Sequence, residues 1–248
     1  TQSISQGGSR KGALMMSLDV WHKEAETFIK IKSQEGKIQG ANLSLEIDDK
    51  FMNIVQHDLE NNEETKEEIT FMYDNGYIIY EVVPVKLFKL MCSTCWDWAE
   101  PGVIFTNRFR NYNMMEHVDG YDIVTGNPCG EQPLPKDGAC NLGSINLSEF
   151  VSNPYTNDAE FDFELFANAV HIAIKALDDV IDYGILYHAL PTQKEMAQNY
   201  RNIGLGVMGL GSCLFKMGLT YGDEDSIKFI DHVMWTMFRS AVKASNKL

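Results

Sequence analysis

The chain has 248 residues, 44% apolar and 23% charged, with 35 acidic against 21 basic side chains and a net charge of −14. That is enough for one or two domains with a sizeable core, and the composition argues against wholesale disorder. The acidic balance excludes gripping polymeric nucleic acid or an anionic membrane by bulk electrostatics, but not a small nucleotide, whose phosphates are often held by backbone N–H groups.

Gly12 to Leu18 reads as a buried strand, and Asp19 as the cap of a helix to about Lys32 with Phe28, Ile29 and Ile31 on its apolar face. Gln34 to Gly40 is a polar loop. Asn42 to Ile47 alternates as a strand does, and Asp48 caps a helix holding Phe51, Ile54, Val55 and Leu59. Asn61 to Glu68 is an acidic connector. Ile69 to Tyr73 and Tyr77 to Val82 flank Asp74-Asn75-Gly76 and predict a β-hairpin. Pro84 opens a helix to about Trp98, and Gly102 to Phe105 is a strand.

Further on, Phe163, Phe166, Val170, Ile174, Leu177 and Ile181 fall at helical spacing and predict a helix from Asp162 to about Ile185. Ile227, Ile230, Val233, Met237 and Phe238 predict another from Ser226 to Ala244. Ile203 to Leu210, between them, is a strand and a tight turn. Strands alternating with helices imply an α/β fold, a mainly parallel sheet or barrel with peripheral helices. No linker divides the chain. Five cysteines, no visible secretory leader and no apolar run of the ~20 residues a membrane span needs point to a cytoplasmic protein with free or redox-active thiols.

Residues 126–138 contain Gly126, Pro128, Gly130, Pro133, Pro135 and Gly138, so no helix forms there. Embedded in them is Asn127-Pro128-Cys129-Gly130-Glu131. In an extended backbone, positions i, i+2 and i+4 share a face, which would converge the Asn127 amide, the Cys129 thiol and the Glu131 carboxyl. A reactive thiol beside a base and an orienting amide is one reading of that pattern. The plainer one is a loop with an inert cysteine, and spacing alone leaves both open. Cys140 follows a Pro- and Gly-rich reversal that would let the chain fold back towards Cys129.

Other features read more plainly. Cys92-Ser93-Thr94-Cys95 lacks a second pair and is expected to pack in the core beside Trp96 and Trp98. Cys213 sits in an apolar run and is expected to be buried and inert. The histidines at 22, 57, 117, 171, 188 and 232 form no i, i+4 pair, so no metal site is expected. Gly204-Leu205-Gly206-Val207-Met208-Gly209 matches GxGxxG literally, but no acidic residue follows at the dinucleotide spacing.

Asn127-Pro128-Cys129-Gly130-Glu131-Gln132-Pro133-Leu134, then Cys140-Asn141-Leu142-Gly143-Ser144-Ile145-Asn146-Leu147, resembles the catalytic finger loop of the ribonucleotide reductase large subunit, in the form of the adenosylcobalamin-dependent (class II) branch. Gln6 to Ala13, His22 to Lys32, Ala41-Asn42-Leu43-Ser44, Glu100 to Phe105 and Arg201 to Leu210 resemble further segments of that family in the same order. The resemblance covers essentially the whole chain. It implies that residues 1–248 form one segment of a ten-stranded α/β barrel, incomplete at both ends, with an inner finger loop at about 126–147.

The resemblance implies roles as well. Cys129 is the thiyl radical site that takes the 3′ hydrogen of the ribose, and Glu131 is the general base at the 3′ hydroxyl, with burial expected to raise its pKa. Asn127 hydrogen-bonds the ribose. Cys140 is half of a reducing dithiol whose partner lies upstream of Thr1. Lys32, Ser33, Gln34, Glu35, Gly36, Lys37, Ile38, Gln39, Gly40, Ala41 and Asn42 match the loop that relays effector identity to the substrate base, with Gly36 and Gly40 permitting rearrangement.

The implied cofactor is adenosylcobalamin, with no binding residue assigned. The implied partners are a ribonucleotide substrate, a nucleotide effector, a thioredoxin-like dithiol and a second copy in a homodimer. The family's Ser/Thr-rich phosphate loop and its carboxyl-terminal cysteine pair have no match, so a central fragment unable to turn over alone is expected. The competing expectations are a class I large subunit, served by a separate radical-generating small subunit, and a non-catalytic nucleotide-binding or assembly module of a split reductase.

Overall fold

The structure, a computed structural model, describes every residue except 1–4, 7–9, 34–37, 39 and 75. Gly7, Gly8 and Ser9 of the family-like opening, Gln34, Glu35, Gly36, Lys37 and Gln39 of the expected effector loop, and Asn75 of the hairpin turn therefore lie outside the described residues. The chain divides into two units, Thr1–Lys136 and Asp137–Leu248, each with its own apolar core.

In the first unit β1 (Ser5–Gln6) and β2 (Arg10–Lys11) pair antiparallel. They are followed by β3 (Leu14–Asp19), α1 (Ala25–Lys30) with a 3-10 turn over Ile31–Ser33, β4 (Ala41–Ile47) and α2 (Asp49–Asn61). Next come the hairpin β5 (Glu67–Tyr73) and β6 (Gly76–Val82), then α3 (Pro84–Trp98), β7 (Gly102–Phe105), α4 (Thr106–Asn111), β8 (Ile123–Gly126) and β9 (Pro133–Pro135).

Strands β3, β4 and β7 form a parallel sheet in that order. Alternation in β4 buries Ala41, Leu43, Leu45 and Ile47, which leaves Asn42, Ser44 and Glu46 on the other face. Leu45 and Ile47 pack with Phe51 and Val55 of α2, Ile29 of α1 and Met91 of α3. Asp48 caps α2 as expected, its Oδ1 accepting from the Phe51 N–H at 2.8 Å.

Two expectations need correction here. Asp19 does not cap α1, because it is still paired within the sheet and its carboxylate accepts from the Trp21 N–H at 2.8 Å. The helix starts only at Ala25 and has no side-chain cap. Cys92 and Trp96 are not core residues: both are exposed, Trp96 at 90%. The buried side of α3 is instead Val85, Met91 and Thr94.

In the second unit β10 (Asn141–Asn146) leads through a 3-10 turn over Leu147–Phe150 to β11 (Val151–Ser152) and β12 (Glu160–Phe161). Then come α5 (Phe163–Ile185), α6 (Pro191–Tyr200), β13 (Ile203–Met208), α7 (Leu210–Lys216) and α8 (Glu224–Ser245). Strands β10 and β13 are parallel, in register from Asn141↔Ile203 to Asn146↔Met208. Phe166, Val170 and Ile174 of α5 meet Val233 and Met237 of α8 in the core, and burying a side chain such as Phe166 contributes about 2–3 kcal/mol.

The stripe α8 buries differs from the expected one. It runs Ser226, Val233, Met237, Ser240 and Ala244, while Ile227 and Phe238 stay exposed. Small residues let α8 lie close to α5, a preference that counting only large apolar side chains misses. Parallel strands linked by helices in both units bear out the α/β reading. Among the described residues, no helix is long and apolar enough to cross a membrane.

Candidate active site

Residues 127–132 join β8 to β9 as the tip of an antiparallel hairpin. The segment is not extended as expected. The Gly130 N–H donates to the Asn127 carbonyl at 2.9 Å, closing a β-turn over Asn127-Pro128-Cys129-Gly130. Proline suits the second turn position because its φ is preset, and Gly130 takes φ +80°, which a side chain resists. Pairing closes again where the Asn127 N–H donates to the Gln132 carbonyl at 3.2 Å, and the Asn127 Oδ1 accepts from the Gln132 N–H at 3.0 Å. The strict alternation expected to converge Asn127, Cys129 and Glu131 does not apply, because a turn replaces the pleat. The Asn127 amide oxygen is spent on the loop itself.

Cys129 is exposed at the turn, and Glu131 is exposed beside it. The burial expected for Glu131 is not supplied by the described residues of this unit. Cys129, Pro128 and Gly130 line a cleft of about 470 Å³, whose other walls are Asn42 and Ser44 of β4, Glu100, Gly102 to Phe105 of β7, and Arg108 and Phe109 of α4. Ser17, Ser44 and Gly102 stand abreast on adjacent strands. These small residues leave room beside the hairpin, and Ser17 Oγ meets Thr125 Oγ1 of β8 at 3.3 Å. A Cβ on Gly102 would come within 2.9 Å of Ser44 Oγ. Of the cleft walls, Ser44, Arg108 and Phe109 escaped the sequence reading. The alternation of β4 was the available signal, since it puts Ser44 on the face of Asn42.

The expected effector loop is described at its ends. Lys32 and Ser33 lie in the 3-10 turn, Ile38 and Gly40 in the loop, and Ala41 and Asn42 already in β4. Lys32 Nζ donates to the Ala41 carbonyl and, at 2.5 Å, to Glu100 Oε1. Glu100 Oε2 accepts from the Leu43 N–H at 3.3 Å. Asn42 Nδ2 donates to the Pro128 carbonyl at 2.7 Å. The loop is thus tied at both ends, and its last residue holds the turn that carries Cys129.

Cys140 belongs to the second unit, half-buried just ahead of β10. It lines a cavity of about 180 Å³ with Asn141, Ile181, Gly184, His188 and Asn202. Asn141 Nδ2 donates to the Leu177 carbonyl of α5 at 2.9 Å, anchoring the start of β10.

Cys95 and Cys213 are structural in setting. Cys95 Sγ donates to the Pro101 carbonyl at 3.0 Å, and burial, then the neighbouring Cys92, pushes its thiol pKa up. Cys213 is fully buried, and that burial pushes its thiol to about 11. Gly204 and Gly206 lie inside β13 rather than in a loop after it, so their N–H groups do not form a phosphate cradle. His57, Asp58 and Glu63 bring potential ligand atoms within 4.8 Å of one another. Asp58, however, accepts from the Thr65 hydroxyl at 2.6 Å and from its N–H at 2.8 Å, as a fastening for the end of α2.

Against known families, the model described as "Ribonucleotide reductase, barrel domain" matches residues 1–248. The chain belongs to the ribonucleotide reductase family. Within that family it is 32% identical over 251 residues to the vitamin B12-dependent ribonucleoside-diphosphate reductase of Mycobacterium tuberculosis, covering 99% of this chain and 33% of that protein. It is 32% identical over 255 residues to the protein of the same name from Thermoplasma acidophilum, covering 100% of this chain and 30% of that one. The ribonucleoside-diphosphate reductase subunit alpha of Chlamydia muridarum is 28% identical over 271 residues, 98% of this chain and 25% of that protein. The chain thus spans about a third or less of the length of these curated relatives.

Proposed function

We propose that this chain is the radical-bearing core segment of a vitamin B12-dependent ribonucleotide reductase, which reduces ribonucleotides to deoxyribonucleotides as DNA precursors. One observation carries the reading: Cys129 is presented at the tip of a hydrogen-bonded turn, bare to a cleft of about 470 Å³, a volume in the range of small-ligand sites. The full-coverage likeness to reductases named as B12-dependent supports the branch.

In this reading the Cys129 thiyl takes the 3′ hydrogen atom of the ribose, and Glu131 accepts the 3′ hydroxyl proton. The 2′ hydroxyl then leaves as water with a proton from the reducing thiols, and at the end Cys129 returns its hydrogen to C3′, which regenerates the thiyl, while Glu131 gives its proton back to the 3′ oxygen. Two thiols, Cys140 and one further cysteine, become a disulfide and supply the two electrons that convert the C2′–OH carbon to C–H. Asn127 keeps its amide NH2 for the ribose, since its oxygen is engaged by Gln132. An external dithiol reduces the disulfide by exchange. A nucleotide effector acts through residues 32–42, and the complete protein is a cytoplasmic homodimer.

When bound, adenosylcobalamin supplies the radical. The described residues lining the Cys129 cleft include no histidine to ligate cobalt.

The test is made in the complete protein. Cys129→Ser is expected to abolish ribonucleotide reduction, and Glu131→Gln to slow the chemical step by about 10²–10⁴-fold with the fold intact. Retention of reduction by Cys129→Ser sinks the assignment. A second reading, a class I subunit, is favoured by the Chlamydia likeness. Activity that needs an added small subunit rather than adenosylcobalamin would establish it.

A further inference from the structure

The carbonyl of Pro128 takes no part in the turn's own bond, which runs from the Gly130 N–H to the Asn127 carbonyl. In this exposed turn water could satisfy that carbonyl, so a protein donor there fixes its position rather than merely pairing it. That partner is the Asn42 carboxamide, 2.7 Å away and 86 positions earlier in the chain. It is the only side-chain hydrogen bond to the 128–131 backbone among the described residues. Asn42 itself sits on a rigid element. Its neighbours Ala41 and Leu43 are buried, the Leu43 N–H is gripped by Glu100, and the Ala41 carbonyl is gripped by Lys32.

We propose that Asn42 is a positioning residue for Cys129: its carboxamide fixes the Asn-Pro-Cys-Gly turn against β4, the strand on which the 32–42 segment ends. The backbone of the thiol-bearing turn is clamped from the strand on which the segment ends, without Asn42 touching the reacting atoms. The importance of that clamp for catalysis rests on the ribonucleotide reductase reading above; the clamp itself does not.

The test needs no turnover, so it fails separately from that reading. In the full chain, Asn42→Asp keeps the size and strand position but loses the donor, and Asn42→Ala serves as a second variant. Amide hydrogen exchange is followed through residues 127–132 and, as a reference, through Leu43 and Leu45 of β4. Exchange across the turn is expected to rise about fivefold, the factor set by one net hydrogen bond, with β4 unchanged. Iodoacetamide labelling of Cys129, measured against exposed Cys92 in the same sample, is expected to rise in parallel. Unchanged exchange and labelling at the turn in both variants overturn the proposal. So does a uniform rise through β4, which marks a loss of sheet structure instead. Survival of the clamp alongside a fully active Cys129→Ser protein would retire the catalytic reading and leave the clamp standing.

Discussion

Lys32 and Glu100 meet at 2.5 Å with side chains only 17% and 28% exposed, and the second oxygen of the same carboxylate accepts from the Leu43 N–H. One ion pair therefore joins the end of the 3-10 turn, the approach to β7 and the backbone of β4. Partly buried pairs of this kind cost more to break on one side than they contribute as a whole. Lys32→Ala and Glu100→Gln are each expected to destabilise the chain, with the double variant less affected than the sum by about 1 kcal/mol. Denaturant unfolding of the four-member cycle checks this, and strict additivity refutes it.

At the end of α2, the Thr65 hydroxyl holds the Asp58 carboxyl below its ordinary 3.8, with burial opposing and the Thr65 N–H assisting. A depressed carboxyl pKa adds stability that is present above the unfolded value and lost as pH falls through the folded one. Thr65→Val is therefore expected to lower stability most near neutrality, with the charge-linked loss shrinking as pH falls through the folded pKa, so that this part of the acid limb flattens. An acid limb that coincides with the wild type would show that the hydroxyl is not what holds the carboxylate.

Cys213 behaves in the opposite sense. Burial raises its thiol from 9.0 to about 11, so between those values the unfolded chain loses the proton first and stability falls as pH rises. Cys213→Ala should flatten that alkaline limb, as seen in the difference between the two stability–pH curves. In the native chain at pH 8, mass spectrometry should find Cys92 and Cys129 alkylated and Cys213 untouched until unfolding. Early labelling of Cys213 would contradict its burial.

Gly209 ends β13 at φ +72°, and a Cβ there would fall 2.1 Å from Asn146 Oδ1, the oxygen that accepts from the Ser148 N–H and hydroxyl. Gly209→Ala is expected to cost about 2 kcal/mol, one part backbone and one part lost capping. Gly218 has the same φ with open space around it, so Gly218→Ala should cost only about 1 kcal/mol. Equal losses of melting temperature in the two variants would remove the steric half of the account.

Much of the fold was legible because its signals are local. The span of α3 follows from Pro84 and its apolar periodicity, α5 from the Asp162 cap and its buried stripe, and β4 from strict alternation. The α8 stripe is not legible in large apolar residues alone, because it includes Ser226, held in the Asp223 cap, and the small residues Ser240 and Ala244. At the candidate site the identities of Asn127, Cys129 and Glu131 were legible, but their geometry was not. An extended backbone would put Asn127, Cys129 and Glu131 on one face, whereas Pro128 and Gly130 make a turn there.

By itself the sequence determined the α/β class, the spans of α2, α3, α5, β4 and the β5–β6 hairpin, and the family, since these rest on periodicity, capping chemistry and motifs that a short stretch of chain contains. Only the tertiary structure decided that Asn42 clamps the Pro128 carbonyl, that Lys32 and Glu100 tie the effector-like segment to β4, and that Arg108 and Phe109 wall the Cys129 cleft. Each of those joins residues far apart in the chain. A hydrogen bond worth about 1 kcal/mol leaves no local trace in composition or spacing; it exists only once the sheet and hairpin have brought donor and acceptor within 3 Å.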